Sequence, residues 1–191
     1  ITRINVSTYQ SVSGAGQAGI DELATQTASL LNFKPLEKSV FSEQIAFNVI
    51  PQIDSFQENG YTREEMKMSW ETKKILDKNI LVNATCVRVP VFYGHSEAVH
   101  LETSKPILVE KVKKLLSNSP GVKLIDNPES MKFPTPTTHC SGNDPVYVGR
   151  IRKDISHENG INLWIVSDNI RKGAALNSVQ IAEEMIKMQL I

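Results

Sequence analysis

The sequence predicts an α+β domain: a mixed, largely antiparallel sheet with helices packed on it. Three observations carry that prediction. Extended, alternating apolar segments recur along the chain, from Arg3–Tyr9 to Ile161–Ser167. They outnumber the helix-period segments that crossovers of an all-parallel sheet would need. The length of 191 residues and the 40% hydrophobic content suit one domain with a sizeable core.

The elements follow in order. Arg3–Tyr9 reads as a strand, and Ser11–Gly16 as a turn of small residues. From Ala18 the positions Ile20, Leu23, Ala24, Thr27, Leu30 and Leu31 keep helical spacing, so a helix of about four turns follows. Asn32–Ala46 has no period, contains Pro35, and reads as a long surface loop. Thr62-Arg63-Glu64-Glu65 is a capping-box pattern opening a second helix, with Met66, Trp70 and Ile75 expected to face inward. Ile80–Phe92 alternates as a strand, Gly94 breaks it, and Ala98–Thr103 resumes it, which predicts a hairpin. Ile107–Leu116 reads as a short helix and Val122–Ile125 as a strand. Asn127–Pro145, with four prolines and a Ser-Gly-Asn-Asp cluster, is the segment expected to be mobile. Val146–Arg152 and Ile161–Ser167 are strands, and Arg171 to the end is a helix turning Ala175, Val179, Ala182 and Ile186 inward.

Composition excludes several classes. Lys plus Arg and Asp plus Glu each total 21, for zero formal charge, whereas a nucleic-acid binder needs a basic face. No apolar run is long enough to span a bilayer, and no charged start with an apolar core marks a signal peptide. Cys86 and Cys140 are too few for a disulfide scaffold and read as free thiols of a cytoplasmic protein. The chain opens at Ile1 inside a β-rich stretch, which suggests a piece of a longer protein.

Gly14-Ala15-Gly16-Gln17-Ala18-Gly19 satisfies G-x-G-x-x-G between a strand and a helix. The surroundings of a dinucleotide-binding unit are missing, because Phe33-Lys34-Pro35-Leu36-Glu37 cannot supply its second strand. A tight strand-to-helix turn, or helix-terminal amides touching a polar part of a ligand, fits better. Arg88 and His95 flank the predicted turn at one end of the sheet. They read either as a carboxylate fork with a proton-transfer group, or as a surface ion pair with a strand-end histidine. Glu64, Lys67, Glu71 and Lys74 form a ladder typical of a solvated helix face, and His100 and Glu102 read as solvent-facing. His139, Cys140 and His157 lack metal-ligand spacing, so no metal is expected. Neither cysteine precedes a helix N-terminus that would favour a thiolate, so neither is a persuasive nucleophile.

Taken together, four ordered segments resemble one family. Val6–Gly16 resembles the VSTYQxVSGAG segment of aspartate-β-semialdehyde dehydrogenases, and Glu64–Ile75 their EEMK…ETxKI helix. Val87–Glu97 is similar to their RVPV…GHSE segment, and Asp168–Ala175 to DNxRKGAA. These motifs cover nearly the whole chain and together are highly specific.

The resemblance implies the C-terminal catalytic and dimerisation domain of that enzyme, with a glyceraldehyde-3-phosphate dehydrogenase-like fold. Such enzymes reduce L-aspartyl-4-phosphate to L-aspartate-4-semialdehyde with NADPH, releasing phosphate, on the route to lysine, threonine and methionine. Carried over, Arg88 clamps the substrate carboxylate, His95 is the acid/base, and Gln10 orients the substrate. Glu64 contacts the substrate and Lys67 its phosphate, which replaces the solvated-face reading for these two. Ser13, Gly14 and Asn169 meet the NADP. The nucleophile of the family lies in an Asn-Cys-Ser/Thr motif upstream of VSTYQ, which this sequence lacks, as it lacks the N-terminal Rossmann domain. A homodimer is expected, with Ile45–Ile50 as an apolar contributor. A non-catalytic paralogue or dimerisation module of the same fold is the alternative, and a self-contained nucleotide binder using Gly14–Gly19 a third reading.

Overall fold

The computed structural model describes all 191 residues. It contains six strands: β1 (Arg3–Gln10), β2 (Leu81–Arg88), β3 (His95–Glu102), β4 (Val122–Leu124), β5 (Val146–Lys153) and β6 (Gly160–Ser167). Four α-helices accompany them: α1 (Gly16–Leu31), α2 (Arg63–Ile75), α3 (Val109–Ser117) and α4 (Leu176–Lys187). The strands form one sheet in the order β2-β1-β3-β6-β5-β4. Pairs β1/β2 and β4/β5 are parallel and the other three antiparallel, as the α+β reading anticipates.

Alternation fixes which face is covered. Val6, Thr8 and Gln10 of β1, with Ala84, Cys86 and Arg88 of β2, are buried on one face. There Val6, Ala84, Val99, Val148, Ile151, Ile161 and Leu163 form the main core. Met68 of α2 and Val109, Val112 and Leu116 on α3 close it. Each fully buried aliphatic side chain contributes about 1.5–3 kcal/mol. A second cluster, Val12, Leu23, Ile45, Ala46 and Ile50, sits beneath α1 at the end of the sheet that carries the C-terminus of β1.

The predicted hairpin is not formed. β2 and β3 lie on opposite flanks of β1, and the segment between them crosses the end of β1. Val89 N donates to Gln10 O, while Val12 N and Ser13 N donate to Val91 O and Phe92 O. The long central strand offers both edges, and those pairings displace a local turn.

Other expectations change for equally local reasons. In α2, Met66 is half-buried but Trp70 and Ile75 are exposed; Met68 is the residue that reaches the core. In α4, the predicted inward residues Ala175, Val179, Ala182 and Ile186 are exposed. The helix is instead held by Lys172, whose ammonium donates to the side chains of Asn177 and Gln180. His100 is not solvent-facing but half-buried, with Nδ1 2.8 Å from Asp154 Oδ2 and Nε2 3.4 Å from Glu102. Asn127–Pro145 is anchored by buried Pro134 and Cys140, and its π-helical turn Pro136–Cys140 packs on β6. Within Ile45–Ile50, residues Ile45, Ala46 and Ile50 are core, leaving only Phe47 and Val49 as large exposed side chains. The Gln26 carboxamide draws Ile45 N and Ala46 N inward.

Candidate active site

The crossing of β1 by the β2–β3 connection places three predicted residues side by side. Gln10 ends β1, Arg88 ends β2 as its register partner, and His95 opens β3. All three strand ends converge where β1 turns into α1. The 3-10 turn Val12–Ala15 runs across them, and Ser11 becomes their common neighbour.

Arg88 is 6% exposed, and its Nη1 donates to Ser11 O at 2.7 Å. No carboxylate forms an ion pair with it. Burial lowers its pKa from the ordinary guanidinium value, with Glu64 acting in the other direction. The backbone N–H of Ser11 donates to His95 Nδ1 at 3.2 Å, so Nδ1 holds a lone pair and Nε2 carries the proton. Burial and then the Arg88 charge push the His95 pKa down to about 4, so the ring is neutral near neutral pH.

Gly14 explains how close these groups come. A Cβ there would stand 2.8 Å from Arg88 Nη1 and 3.4 Å from the His95 ring. In the same sequence pattern, Gly16 turns the chain at φ +78°, and a Cβ at Gly19 would stand 2.8 Å from Val12 O. The G-x-G-x-x-G match is therefore a packing requirement of this strand–turn–helix. β2 does pair parallel with β1, but it follows α1 only after a long loop and α2, so these glycines do not open the compact strand–helix–strand of a dinucleotide-binding fingerprint.

Glu64 and Lys67 join from α2. Gln10 Nε2 donates to Glu64 Oε1 at 3.2 Å, and Lys67 Nζ to Glu64 Oε2 at 2.9 Å. Burial works to raise the Glu64 pKa, but the bonds from Lys67 and Gln10 and the Arg88 charge outweigh it, leaving it below the usual carboxylate range. The solvated-ladder reading thus fails for Glu64 and Lys67, while Glu71 and Lys74 stay exposed.

Asn169 closes the group from beyond β6. Its Oδ1 accepts from Gly94 N at 3.0 Å, and its Nδ2 donates to Ser13 Oγ at 3.0 Å. Asp168 holds this turn by accepting from Ile170 N, Arg171 N and Gly142 N. Gly94 has φ +87°, and a Cβ there would meet Cys140 Sγ at 2.6 Å, so glycine is needed beside His95.

All eight predicted residues thus gather at one end of the sheet: Gln10, Ser13, Gly14, Glu64, Lys67, Arg88, His95 and Asn169. Sequence reasoning missed Ser11, Glu97 and Asp168. Glu97 lies two residues along the same face of β3 as His95 and lines a cavity of about 250 Å³ with Glu64, His95 and Asn169. Burial raises its carboxyl pKa. Period-two alternation from His95 was the signal that could have found it. Cys86 and Cys140 are fully buried, and burial pushes their thiols up to about 11 and about 12, so neither offers a thiolate. No group of three His, Cys, Asp or Glu side chains is arranged to hold a metal. No helix is long and apolar enough to cross a membrane.

Residues 1–172 match the family described as semialdehyde dehydrogenase, dimerisation domain. The chain belongs to that family. The aspartate-semialdehyde dehydrogenase of Shewanella sp. (strain DB6705) is 64% identical over 188 residues, covering 98% of this chain and 55% of that protein. The structure of aspartate semialdehyde dehydrogenase II from Vibrio cholerae, complexed with ASA, superposes with a TM-score of 0.94 at 62% identity, covering 98% of this chain and 55% of that one. The Candida albicans aspartate semialdehyde dehydrogenase solved with NADP superposes with a TM-score of 0.70 at 25% identity, covering 100% and 52%. This semialdehyde dehydrogenase domain spans about half the length of the curated relatives it matches.

Proposed function

We propose that this chain is the substrate-binding, acid–base and dimerisation half of a cytoplasmic, NADPH-dependent aspartate-semialdehyde dehydrogenase. In the direction of biosynthesis the whole enzyme reduces L-aspartyl-4-phosphate to L-aspartate-4-semialdehyde and releases phosphate. One observation carries this reading: Arg88 is a buried guanidinium with no carboxylate partner, beside a neutral histidine and a carboxylate-lined cavity. A buried, unpaired charge costs several kcal/mol unless a ligand completes it. The substrate carboxylate is that ligand, held by the guanidinium fork.

The other roles follow from position. Gln10, tied to Glu64, orients the acyl group, and Glu64 faces the cavity with its carboxylate kept ionised. Lys67, half exposed at the rim, meets the phosphate. His95 presents an Nε2–H to the carbonyl oxygen that gains charge on attack. Burial is the larger cause of the lowered His95 pKa and the Arg88 charge the second. A carboxylate on Arg88 and the phosphate offset part of that charge, so substrate binding eases proton uptake and delivery by the ring. The attacking thiol is not Cys86 or Cys140, and we place it outside this chain.

The exposed Gly14, with the Ser13 hydroxyl and the Asn169 carboxamide next to it, offers polar groups that would meet NADP. When bound, that cofactor supplies the hydride. Ser13, Gly14 and Asn169 would contribute part of its site, and we assign the rest to the N-terminal domain.

The test is semialdehyde oxidation by the full-length enzyme that contains this sequence. NADPH formation that requires both phosphate and L-aspartate-4-semialdehyde is expected. A full-length protein that binds NADP yet yields no phosphate-dependent NADPH would sink the reading.

A further inference from the structure

The loop from Glu37 to Ala46 has no sequence period, yet it is tied to α1 by two buried polar side chains. Glu22 accepts from Ser39 N at 3.0 Å, Ser39 Oγ at 2.9 Å and Val40 N. Burial works to raise the Glu22 pKa, but the hydrogen bonds from Val40 and Ser39 outweigh it and keep the carboxyl below the usual range. Four residues along α1, Gln26 donates to Glu37 O and accepts from Ile45 N and Ala46 N. Five peptide units of loop are thereby suspended from one helix face.

The suspended loop delivers Phe41. Its ring tip stands 3.1 Å from where a Cβ on Gly19 would be, so the ring is wedged against the bare backbone of α1. The centroid lies 6.0 Å from Arg88 Cζ, within the reach of a cation–π contact. Phe41 and Arg88 together line a cavity of about 250 Å³, with Ala15, Ile50 and Ile53 as further walls. On its other side the guanidinium is fixed only through Nη1 to Ser11 O. Asp54 lines the same cavity but forms no ion pair with Arg88.

We propose that Phe41 is a positioning residue for Arg88: the loop hung from Glu22 and Gln26 holds its ring against the guanidinium and aims the fork at the bound carboxylate. The ring offers a negative face to a charge that has left water, and it does so without a carboxylate that would compete with the ligand. An acidic residue in its place would satisfy Arg88 in the free protein and weaken binding. The inference rests on the reading of Arg88 as a carboxylate clamp.

The test has two readouts, on Phe41→Leu and Phe41→Met; tyrosine is avoided because its hydroxyl would extend from the ring tip that already abuts α1 at Gly19. In the 191-residue chain, the Arg88 side-chain N–H signals, assigned by their loss in Arg88→Lys, should show ring-current shifts and slow guanidinium rotation. Phe41→Leu and Phe41→Met should both lose these features. In the full-length enzyme, Phe41→Leu should raise KM for the semialdehyde roughly three- to thirtyfold, the span of cation–π contacts, with kcat within about twofold. Unmoved Arg88 signals in both aliphatic variants overturn the proposal whatever the activity. A fall in kcat at constant KM overturns it too. An inactive wild-type enzyme defeats the functional reading alone, and the Arg88 signals still decide whether Phe41 holds the guanidinium.

Discussion

Arg88 and His95 act on each other through charge, and substitutions at the two should fail in different ways. Arg88→Lys keeps the charge but loses the planar fork, so a bidentate grip becomes a single contact. Losing one charge-assisted hydrogen bond of about 1.5–3 kcal/mol should lower kcat/KM about 10- to 100-fold, with KM bearing much of the change. His95→Asn keeps a polar side chain but removes proton transfer, so kcat should fall about 10²–10⁴-fold while KM moves little. Steady-state rates of folded full-length variants check both. An asparagine enzyme within about threefold of wild type would end the acid/base assignment. The pH profiles give a signed companion result. In the free protein burial and the Arg88 charge hold His95 near 4. A carboxylate on Arg88 cancels part of that charge, so the His95 pKa rises on binding. The acidic limb of the kcat profile should therefore lie above that of kcat/KM, and coincident limbs would contradict the coupling.

Among the elements, α2 was the most legible in the sequence and α4 the least. The capping box at Thr62 needs four residues and forms as read: Glu65 N donates to Thr62 Oγ1 at 3.3 Å, and Thr62 N to Glu65 Oε2 at 2.8 Å. Glu65 does more than cap, because its Oε1 also accepts from Cys86 N and ties α2 to β2. Thr62→Ala should cost about 1–2 kcal/mol in urea unfolding, and Thr62→Ser a fraction of that. A threonine-to-alanine loss under about 0.3 kcal/mol would mean that the cap is idle in this buried setting. The β2–β3 connection was misread for a physical reason. Two strands separated by a short Gly-containing link look like a hairpin, and nothing local reveals that β1 has taken the place between them. For α4 the apolar stripe is real, but periodicity says only which residues share a face, not whether this chain supplies a surface to cover it.

At the scale of the whole molecule, the site became legible through ordered motifs rather than through periodicity. Spacing alone left Arg88 and His95 open and assigned Glu64 and Lys67 to solvent, because Gln10 reaches Glu64 across 54 positions. The uncovered face of the sheet was equally hidden. Asn5, Ser7 and Thr85 point away from the core, beside Ala98, and form a floor of small side chains. Tyr9 and Trp164, 5.6 Å apart, rim it. Such a floor lets a second sheet approach closely, whereas Ile45–Ile50 has most of its apolar residues already in the core. For a family described as a dimerisation domain, we propose this sheet face as the contact with a second copy of the chain. Sedimentation of the full-length enzyme at tens of micromolar should show a dimer, since a stable interface buries about 800 Å² per partner. Ser7→Arg sets a bulky charge in the middle of the face, at a position paired with Thr85 and Ala98, and faces solvent in a monomer. It should shift the protein to monomer while leaving its circular dichroism unchanged. A Ser7→Arg protein that sediments as a dimer as tight as wild type would move the interface elsewhere.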